Sequence, residues 1–340
     1  MIEKQSFPDQ HIIDCLNHYY GIKVDTLQFL PLGADMNASV YEARAKDQSS
    51  YFVKLKRGHF PDISVIIPTL LKEAGFHQII SPIKTIHSQS TYRVGDFTII
   101  VYPYIEGQNG FSRNLTKDQF IVLGKVLRQV HEICLPQSVQ DQVRREDYSP
   151  KWRQAVRSLC SHIDTELSID EAASKLRTFI KLNRTTIQRI VDRSEQLCEK
   201  IRDQSVQFVL CHSDIHAGNV LIDGNNKIFI VDWDEPIMAP KERDLMFIGG
   251  GVANVWNMPD EVEYFYQGYG KTEVNKTLLA YYRHERIVED IALFGQQILL
   301  TTTGGQDRME AYQHFVAQFA PQGSVEIAFQ TGLPTNPFPV

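Results

Sequence analysis

The stretch from Phe208 to Trp233, FVLCHSDIHAGNVLIDGNNKIFIVDW, contains the residues that decide the fold and the chemistry of this chain. Asp214 is followed, after four intervening residues, by Asn219, and a hydrophobic segment then leads to a second acid, Asp232. The apolar runs around these residues predict short buried strands whose ends present the polar groups. In phosphoryl transfer one carboxylate can accept the proton of an incoming hydroxyl, while an amide and a second carboxylate can hold Mg²⁺ against nucleotide phosphates. The spacing of the three residues therefore predicts a phosphoryl-transfer site.

Two other interpretations use the same residues. Asp214 and Asn219, taken singly, are typical of residues that cap turns. His212, Asp214 and His216 form an H-x-D-x-H pattern, and imidazoles bind zinc. The sequence offers no obvious fourth zinc ligand, and both histidines are equally explained as hydrogen bonders that stabilise a loop. The ordered set, in its strand-loop-strand context, favours the catalytic interpretation.

The composition is that of an ordinary globular protein. Of 340 residues, 43% are hydrophobic and 22% are charged; the formal net charge is -6 and the isoelectric point is about 6.0. This balance argues against a nucleic-acid partner and is compatible with a cationic small-molecule substrate. Five dispersed cysteines without a CxxC pattern argue against a disulfide framework. Because neither a signal peptide nor an apolar stretch of ~20 residues is present, we expect a cytoplasmic protein without a membrane partner. We also expect a monomer or weak dimer.

The predicted elements divide the chain into a β-rich first part and a helical remainder. The alternating segment Tyr51–Leu55 and the β-branched segment Phe97–Tyr102 predict strands. Between them, Pro68 interrupts the apolar segment Ile63–Leu71, which predicts at most a broken or short helix.

Helical patterns dominate after the first hundred residues. Thr116 and Gln119 form a capping-box pattern, and apolar residues then recur at steps of three and four from Phe120 to Ile133. Further helices are predicted over much of 150–203 and over 261–269 and 277–300, with a hairpin over 220–231 that turns on Gly224-Asn225-Asn226.

The motif residues resemble the aminoglycoside phosphotransferase family, which is related to protein and choline kinases. HSDIHAGN at 212–219 and the following Val231-Asp232-Trp233 carry this resemblance. YSPKWR at 148–153, DWDEPIMAPKERDLMFIGGG at 232–251 and YYRHERIVEDIA at 281–292 are similar to its spectinomycin phosphotransferase branch. The resemblance implies an α+β, bilobal, protein-kinase-like fold with a small antiparallel β-rich N-lobe and a larger, mainly helical C-lobe. The implied domains are a nucleotide-binding lobe over 1–106, a catalytic and substrate-binding helical lobe over 107–330, and a Pro-rich tail over 331–340.

The resemblance also implies roles for the central residues. Asp214 would orient the acceptor hydroxyl, Asn219 and Asp232 would hold Mg²⁺, and Lys54 would contact the α- and β-phosphates of ATP. The family pairs this lysine with an acid. Asp62 is the better match here, and Glu73 is the alternative.

Nucleotide contacts are implied at two further places. The segment Leu32–Ser39 would cover the phosphates, with Asn37 and Ser39 among its contacts, although a single glycine is also typical of an ordinary hairpin turn. In the linker, the Pro103 carbonyl and the Ile105 N–H would hold the adenine edge, and Tyr102 would flank the base. The bulk of Tyr102 should favour ATP over GTP.

A cationic substrate would need acids, and Asp234, Glu235 and Glu289 are the predicted substrate contacts. Asp244 is interpreted as structural, because it precedes an apolar run and could cap a helix or hold the catalytic loop. The resemblance implies an ATP-dependent O-phosphotransferase for an aminocyclitol or aminoglycoside antibiotic, above all spectinomycin, which would give resistance. The alternatives are a kinase for choline, methylthioribose or another amino-alcohol or sugar metabolite, and a non-catalytic nucleotide-binding scaffold.

Overall fold

A computed structural model of the chain describes residues 4–33, 35, 37–164, 170–301 and 305–332. In chain order, its α-helices are α1 (Asp9–Tyr19), α2 (Ile63–Glu73), α3 (Lys117–Glu132), α4 (Gln137–Gln140), α5 (Lys151–His162), α6 (Glu171–Leu182), α7 (Arg184–Ile201), α8 (Glu242–Leu245), α9 (Pro259–Tyr269), α10 (Lys276–Leu299), α11 (Gly305–Ala317) and α12 (Ser324–Gln330). The strands are β1 (Val24–Leu30), β2 (Ala38–Ala45), β3 (Ser50–Arg57), β4 (Tyr92–Val94), β5 (Phe97–Pro103), β6 (Gly107–Asn109), β7 (Arg144–Arg145), β8 (Val209–Cys211), β9 (Val220–Asp223), β10 (Ile228–Ile230) and β11 (Ile237–Ala239).

The described residues form two compact units. The first unit contains the chain up to Gly110 together with Asn219–Pro236, and the second contains Phe111–Gly218 and the chain from Ile237 onward. The first is built on an antiparallel sheet, whereas helices make up most of the second. The predicted α+β class is therefore confirmed.

The main sheet of the first unit has the strand order β1-β2-β3-β5-β4, and each neighbouring pair is antiparallel. One face packs against α1, where Leu16 meets Val53, Leu55 and Val101 in a shared hydrophobic core. Because side chains alternate along a strand, Lys54 lies on the opposite face of β3. The strands predicted from Tyr51–Leu55 and Phe97–Tyr102 are confirmed as parts of β3 and β5.

Helix α2 differs from its prediction. It is continuous over 11 residues and contains Pro68 in its interior. Proline removes the donor that would bond the carbonyl four residues earlier, that of Ser64. Burial of Val65, Ile67 and Leu71 along one side of α2 stabilises the helix despite this loss.

A second, smaller sheet completes the first unit. Strands β9 and β10 form the predicted hairpin, and β6 adds to the other edge of β9. The Asp223 carboxylate accepts hydrogen bonds from the N–H groups of Asn225 and Lys227, at 2.9 and 2.8 Å. Asn226 takes a left-handed conformation at φ 63°, which asparagine tolerates well.

The second unit is organised around α10, whose buried residues extend along most of its 24-residue length. This helix packs against α5, α7, α11 and α12. The capping box of α3 is confirmed, since the Thr116 side chain accepts from the Gln119 N–H and the Gln119 side chain accepts from the Thr116 N–H. The predicted apolar face of α3, including Phe120, Leu123 and Leu127, is buried.

The predicted Pro-rich tail, 331–340, is described only at its beginning. Thr331 is buried, and its hydroxyl accepts a hydrogen bond from Arg283 at 2.8 Å. Residues 333–340 lie outside the described residues, as do Ala34 and Met36 of the predicted phosphate-covering segment. Within the part of the chain that the structure describes, no helix is both long enough and apolar enough to cross a membrane.

Gly268 on α9 allows a close backbone approach to α3. A Cβ atom added at Gly268 would lie 1.9 Å from the carbonyl oxygen of Ile121, so Gly268→Ala must push the two helices apart. We expect the free energy of unfolding to fall by about 1–3 kcal/mol, measured by urea denaturation. Gly224→Ala is the control, because a Cβ there meets no atom within 4 Å. Superimposable unfolding curves for Gly268→Ala and the unsubstituted protein would contradict the close approach.

Candidate active site

In the first unit, Lys54 lies between two acids that follow β10. Its Nζ lies 3.0 Å from Asp232 Oδ1 and 2.7 Å from Asp234 Oδ2. Burial would lower the pKa of the Lys54 ammonium, but the two carboxylates outweigh burial and raise that pKa above its ordinary value. Lys54 therefore stays cationic across the physiological pH range. Burial also raises the pKa of Asp234 to about 6; Lys54 opposes this shift and Asp232 adds to it.

The backbone fixes these acids. Asp232 has a φ of 63°, a left-handed conformation that is uncommon outside glycine and concentrates at functional sites. The N–H of Val231, directly before Asp232, donates to the carbonyl of Asn219 at 3.0 Å. The carbonyl of Asp234 accepts a hydrogen bond from the Ser64 hydroxyl of α2, at 2.5 Å. The hairpin thus brings Asn219 and the residue before Asp232 together on paired segments.

The acid partner of Lys54 differs from the prediction. Asp62 is exposed at the start of α2, and Glu73 lies 3.6 Å from Lys84 rather than beside Lys54. The side-chain geometry therefore gives no support to either Asp62 or Glu73 as the partner.

The predicted nucleotide contacts divide between the two faces of the sheet. Tyr102 pairs with Phe52 across β3 and β5, so the two side chains lie on the same face of the sheet. Phe52 is two residues before Lys54 on β3, and Tyr102 therefore shares the face of Lys54. Ser39 pairs with Leu55 and so lies on the other face, where its hydroxyl accepts from the N–H of Gln5 at 2.8 Å. The geometry does not support a phosphate contact by the Ser39 side chain.

The remaining predicted nucleotide residues lie in exposed or half-buried segments. The N–H of Asn37 donates to the Asp35 carboxylate at 2.8 Å, which makes a turn before β2. Pro103 is exposed at the end of β5, and Ile105 is half-buried between β5 and β6.

In the second unit, Asp244 holds the loop that follows β8. This fully buried carboxylate accepts from the N–H groups of His212 and Ser213, at 2.9 and 2.7 Å. His131 Nε2 lies 3.0 Å from the same carboxylate, and His131 Nδ1 lies 2.7 Å from the Tyr269 hydroxyl. Burial would raise the pKa of Asp244, but these polar partners lower it below its ordinary value. The structural role predicted for Asp244 agrees with this geometry.

Asp214 projects from the loop that Asp244 holds. Its Oδ1 lies 2.5 Å from Arg286 Nη1, and its Oδ2 lies 3.5 Å from His216 Nε2. Partial burial would raise the pKa of Asp214, but Arg286 and His216 outweigh it and hold that pKa well below its usual range. Asp214 is consequently a carboxylate at physiological pH.

The two motif histidines stabilise this loop. His212 Nδ1 accepts from the Asp214 N–H at 3.3 Å, and His216 Nδ1 accepts from the Gly218 N–H at 3.0 Å. The His216 ring stacks on Phe111 with 5.3 Å between ring centroids. A Cβ at Gly218 would lie 2.5 Å from the Phe111 ring, which explains the glycine at this motif position.

The predicted substrate acids have different surroundings. Asp234 pairs with Lys54, Glu235 is exposed, and Glu289 on α10 lies 3.9 Å from Arg243. The acid of α10 that joins the Asp214 cluster is Asp290, which contacts Arg286 at 3.0 Å.

Sequence reasoning missed Arg286 as a partner of Asp214. The pair is separated by 72 positions. From sequence alone, Arg286 and Asp290 have the spacing of an ordinary surface ion pair on one helix.

Comparisons with known proteins identify the family and the fold. The model of the phosphotransferase enzyme family (APH) matches residues 28–274. Protein StrN of Streptomyces griseus is 25% identical over 234 residues, which are 64% of this chain and 67% of that protein. The crystal structure of spectinomycin phosphotransferase, APH(9)-Ia, in complex with ADP and spectinomycin is 50% identical with a TM-score of 0.89, covering 96% of this chain and 98% of that one. The AMP-bound complex of APH(9)-Ia is 48% identical with a TM-score of 0.86, covering 95% and 99%. The predicted family resemblance and kinase-like fold are confirmed.

The Asp244 network gives a prediction for stability and its pH dependence. Asp244→Asn places a neutral amide beside two backbone N–H groups and His131, so we expect the free energy of unfolding to fall by about 3 kcal/mol. Because the folded-state pKa of Asp244 is lowered, its contribution is present above about pH 4 and is lost as the pH falls. The deficit of the variant should therefore shrink in acid.

Urea unfolding between neutral pH and about pH 2 measures this effect, because the loss begins only below about pH 4. Asp192→Asn, on the exposed side of α7, is the matched control. A deficit that stays constant as the pH falls would contradict the role of the Asp244 charge.

Proposed function

The chain belongs to the APH phosphotransferase enzyme family, and on that premise we propose that it transfers the γ-phosphoryl group of ATP to a hydroxyl of an aminocyclitol antibiotic. The observation that carries this proposal is the 50% identity, over 96% of the chain, to a spectinomycin phosphotransferase crystallised with ADP and spectinomycin. Spectinomycin is therefore the proposed substrate. Its phosphorylation would give resistance to the antibiotic.

The first unit supplies the proposed nucleotide contacts. Lys54 stays cationic, and its ammonium is fixed by Asp232 and Asp234, which suits it to contact nucleotide phosphates. Tyr102 shares the sheet face of Lys54 and would flank the base, with Pro103 and Ile105 at the adenine edge.

The oxygen donors of Asn219 and Asp232 fit Mg²⁺, which prefers carboxylate and amide oxygens. The backbone hydrogen bond from Val231 to Asn219 supports their joint use, because it ties the two ends of the hairpin together. Bound Mg²⁺ would neutralise charge on the transferring phosphate. The left-handed backbone at Asp232 would direct its carboxylate for this task.

Asp214 is the proposed group that orients the acceptor hydroxyl. Its lowered pKa makes it a weak base, but phosphoryl transfer has a loose transition state in which positioning contributes more than strong deprotonation. The fixed loop between β8 and the 3₁₀ turn at Ala217–Asn219 supports this role.

A panel of acceptors tests the substrate. Incubated with ATP and Mg²⁺, the protein should add one phosphoryl group to spectinomycin, detected by mass spectrometry. Kanamycin-type aminoglycosides, choline and methylthioribose are the competing acceptors. Turnover of choline or methylthioribose without turnover of any aminocyclitol would overturn the substrate assignment.

Asp214→Asn tests the mechanism. The amide keeps the size of the side chain and loses its negative charge, so kcat should fall by roughly 10²–10⁴-fold while ADP binding, measured by calorimetry, is retained. Asp192→Asn is again the matched control and should keep full activity. Near-normal turnover by Asp214→Asn would remove Asp214 from its proposed role.

Tyr102 generates a prediction about nucleotide choice. If its half-buried ring flanks the base, the unsubstituted protein should use ATP with a higher kcat/KM than GTP. Tyr102→Ala enlarges the space and should shift the ATP-to-GTP ratio of kcat/KM by roughly tenfold toward GTP. Equal efficiencies with the two nucleotides before substitution would refute this assignment.

A further inference from the structure

Arg286 makes a short charged contact to Asp214. Its Nη1 lies 2.5 Å from Asp214 Oδ1. Arg286 lies in the middle of α10, on an element remote in sequence from the loop of Asp214, and its side chain is 20% exposed. A guanidinium that donates to one carboxylate oxygen restricts the rotation of the whole group.

Arg286 is itself held from other directions. Its Nε donates to Asp290 Oδ1 at 3.0 Å, one turn further along α10. Its guanidinium also lies over the ring of Phe247, 5.7 Å from the centroid. A long, flexible side chain normally loses much conformational entropy when it is fixed, and these two contacts fix it before any substrate binds.

We propose that Arg286 is a positioning residue of the phosphotransfer reaction, which holds Asp214 by Oδ1 and presents Oδ2 to the acceptor hydroxyl. This inference rests on the function proposed above, because it presupposes that Asp214 orients the hydroxyl. It adds a requirement that the motif alone does not contain: the orientation of Asp214 depends on α10.

The distribution of contacts over Asp214 supports this division of its two oxygens. Oδ1 faces Arg286, whereas Oδ2 faces His216 at 3.5 Å, a longer separation that is less restrictive than the Arg286 contact. The His216 ring stacks on Phe111, which restricts its position. The restricted ring in turn limits the directions that Asp214 Oδ2 can take. A hydroxyl that approached Oδ1 would have to displace Arg286 and disturb its contacts with Asp290 and Phe247.

Several charged groups face this pair. His216 approaches from the loop of Asp214, Glu289 and Asp290 lie on α10, and Arg243 of α8 acts on Arg286 across the second unit. Burial would lower the pKa of Arg286, but Asp214, Asp290 and Glu289 raise it, so Arg286 stays charged wherever the enzyme is folded. Among these groups, Arg286 is the largest influence that keeps Asp214 ionised against burial.

Arg286→Gln, Arg286→Lys and the control Arg157→Gln test the proposal. Arg157 is an exposed arginine that also pairs with acids, Asp192 and Glu195. For each variant, kcat and KM for ATP and for spectinomycin are measured between about pH 5 and pH 9, and folding is checked by thermal denaturation.

For Arg286→Gln we expect kcat to fall roughly 10- to 100-fold with KM for ATP unchanged, because the hydroxyl contact is misplaced and the nucleotide contacts are not. The acid limb due to Asp214 lies below the measured range in the unsubstituted enzyme and should move up toward or into that range, because burial of Asp214 is no longer offset by Arg286. Arg286→Lys should recover part of kcat. In a further variant, Arg286→Ala, added methylguanidinium should restore part of the activity.

Two results would overturn the inference. Unchanged kcat and an unmoved acid limb in folded Arg286→Gln would show that Asp214 does not need this partner. A lower KM for spectinomycin with undiminished kcat would show instead that Arg286 competes with the cationic substrate for Asp214. Failure of the unsubstituted protein to phosphorylate spectinomycin would count against the proposed function itself. Inactive Asp214→Asn beside fully active Arg286→Gln would remove only this inference.

Asp290→Asn keeps the test decisive if Arg286→Gln does not fold. This variant retains Arg286 and removes the charge that anchors its Nε. We expect a smaller fall in kcat than for Arg286→Gln, with KM for ATP unchanged. An unchanged kcat for folded Asp290→Asn would overturn the proposal.

Discussion

The buried carboxylate of Asp244 is the constraint on which the loop of Asp214 depends. A carboxylate without solvent is costly unless its oxygens are fully used, and Asp244 accepts from two consecutive backbone N–H groups and contacts His131. These bonds hold Ser213 in a left-handed conformation with a φ of 74°, which would otherwise be unfavourable. Asp214 is the next residue, so its direction is determined by a charge that lies behind the loop.

Each unit contains a cation held between two carboxylates. In the first unit Lys54 contacts Asp232 and Asp234. In the second, Arg286 contacts Asp214 and Asp290. Burial raises the pKa of Asp234 in the first set and of Asp290 in the second to about 6. The neighbouring cation, Lys54 or Arg286, lowers the pKa of that acid. In each set the acid outside the motif, Asp234 or Asp290, restricts the cation. The restricted cation then contacts the motif acid, Asp232 or Asp214, in one geometry. Electrostatic preorganisation of this kind lowers the reorganisation needed at the moment of reaction.

Much of this was predictable from the sequence because the signals are local. The alternation in β3, the turn residues of the β9–β10 hairpin and the capping box of α3 each depend on residues close together in the chain. The order of Asp214, Asn219 and Asp232 was readable for the same reason. The position of Lys54 came from family resemblance, because a lysine on an alternating strand has no distinguishing local pattern.

Local patterns are a poorer guide where a side chain finds its partner far along the chain or on a particular face. Asp62 is close in sequence to Lys54, yet its side chain is exposed at the start of α2. The acids that contact Lys54 are Asp232 and Asp234, which lie 178 and 180 positions after it. The position of Ser39 near a loop suggests a phosphate contact, but alternation within β2 turns its side chain to the opposite face from Lys54. Helix propensity alone predicts a break at Pro68, whereas burial of the apolar side of α2 stabilises the helix.

The electrostatics of Asp214 clarify what the second unit contributes to chemistry. A carboxylate with a lowered pKa is a poor proton acceptor, so an arrangement selected for strong general-base catalysis would not place an arginine against it. An arrangement selected for orientation would, because the same contact that weakens the base fixes its direction. In a loose transition state the acceptor hydroxyl needs to lose its proton only late, and the loss of basicity then has a small effect on the rate. Removing the positive charge from Arg286 should therefore make Asp214 more basic and the reaction slower, a combination that basicity alone cannot explain.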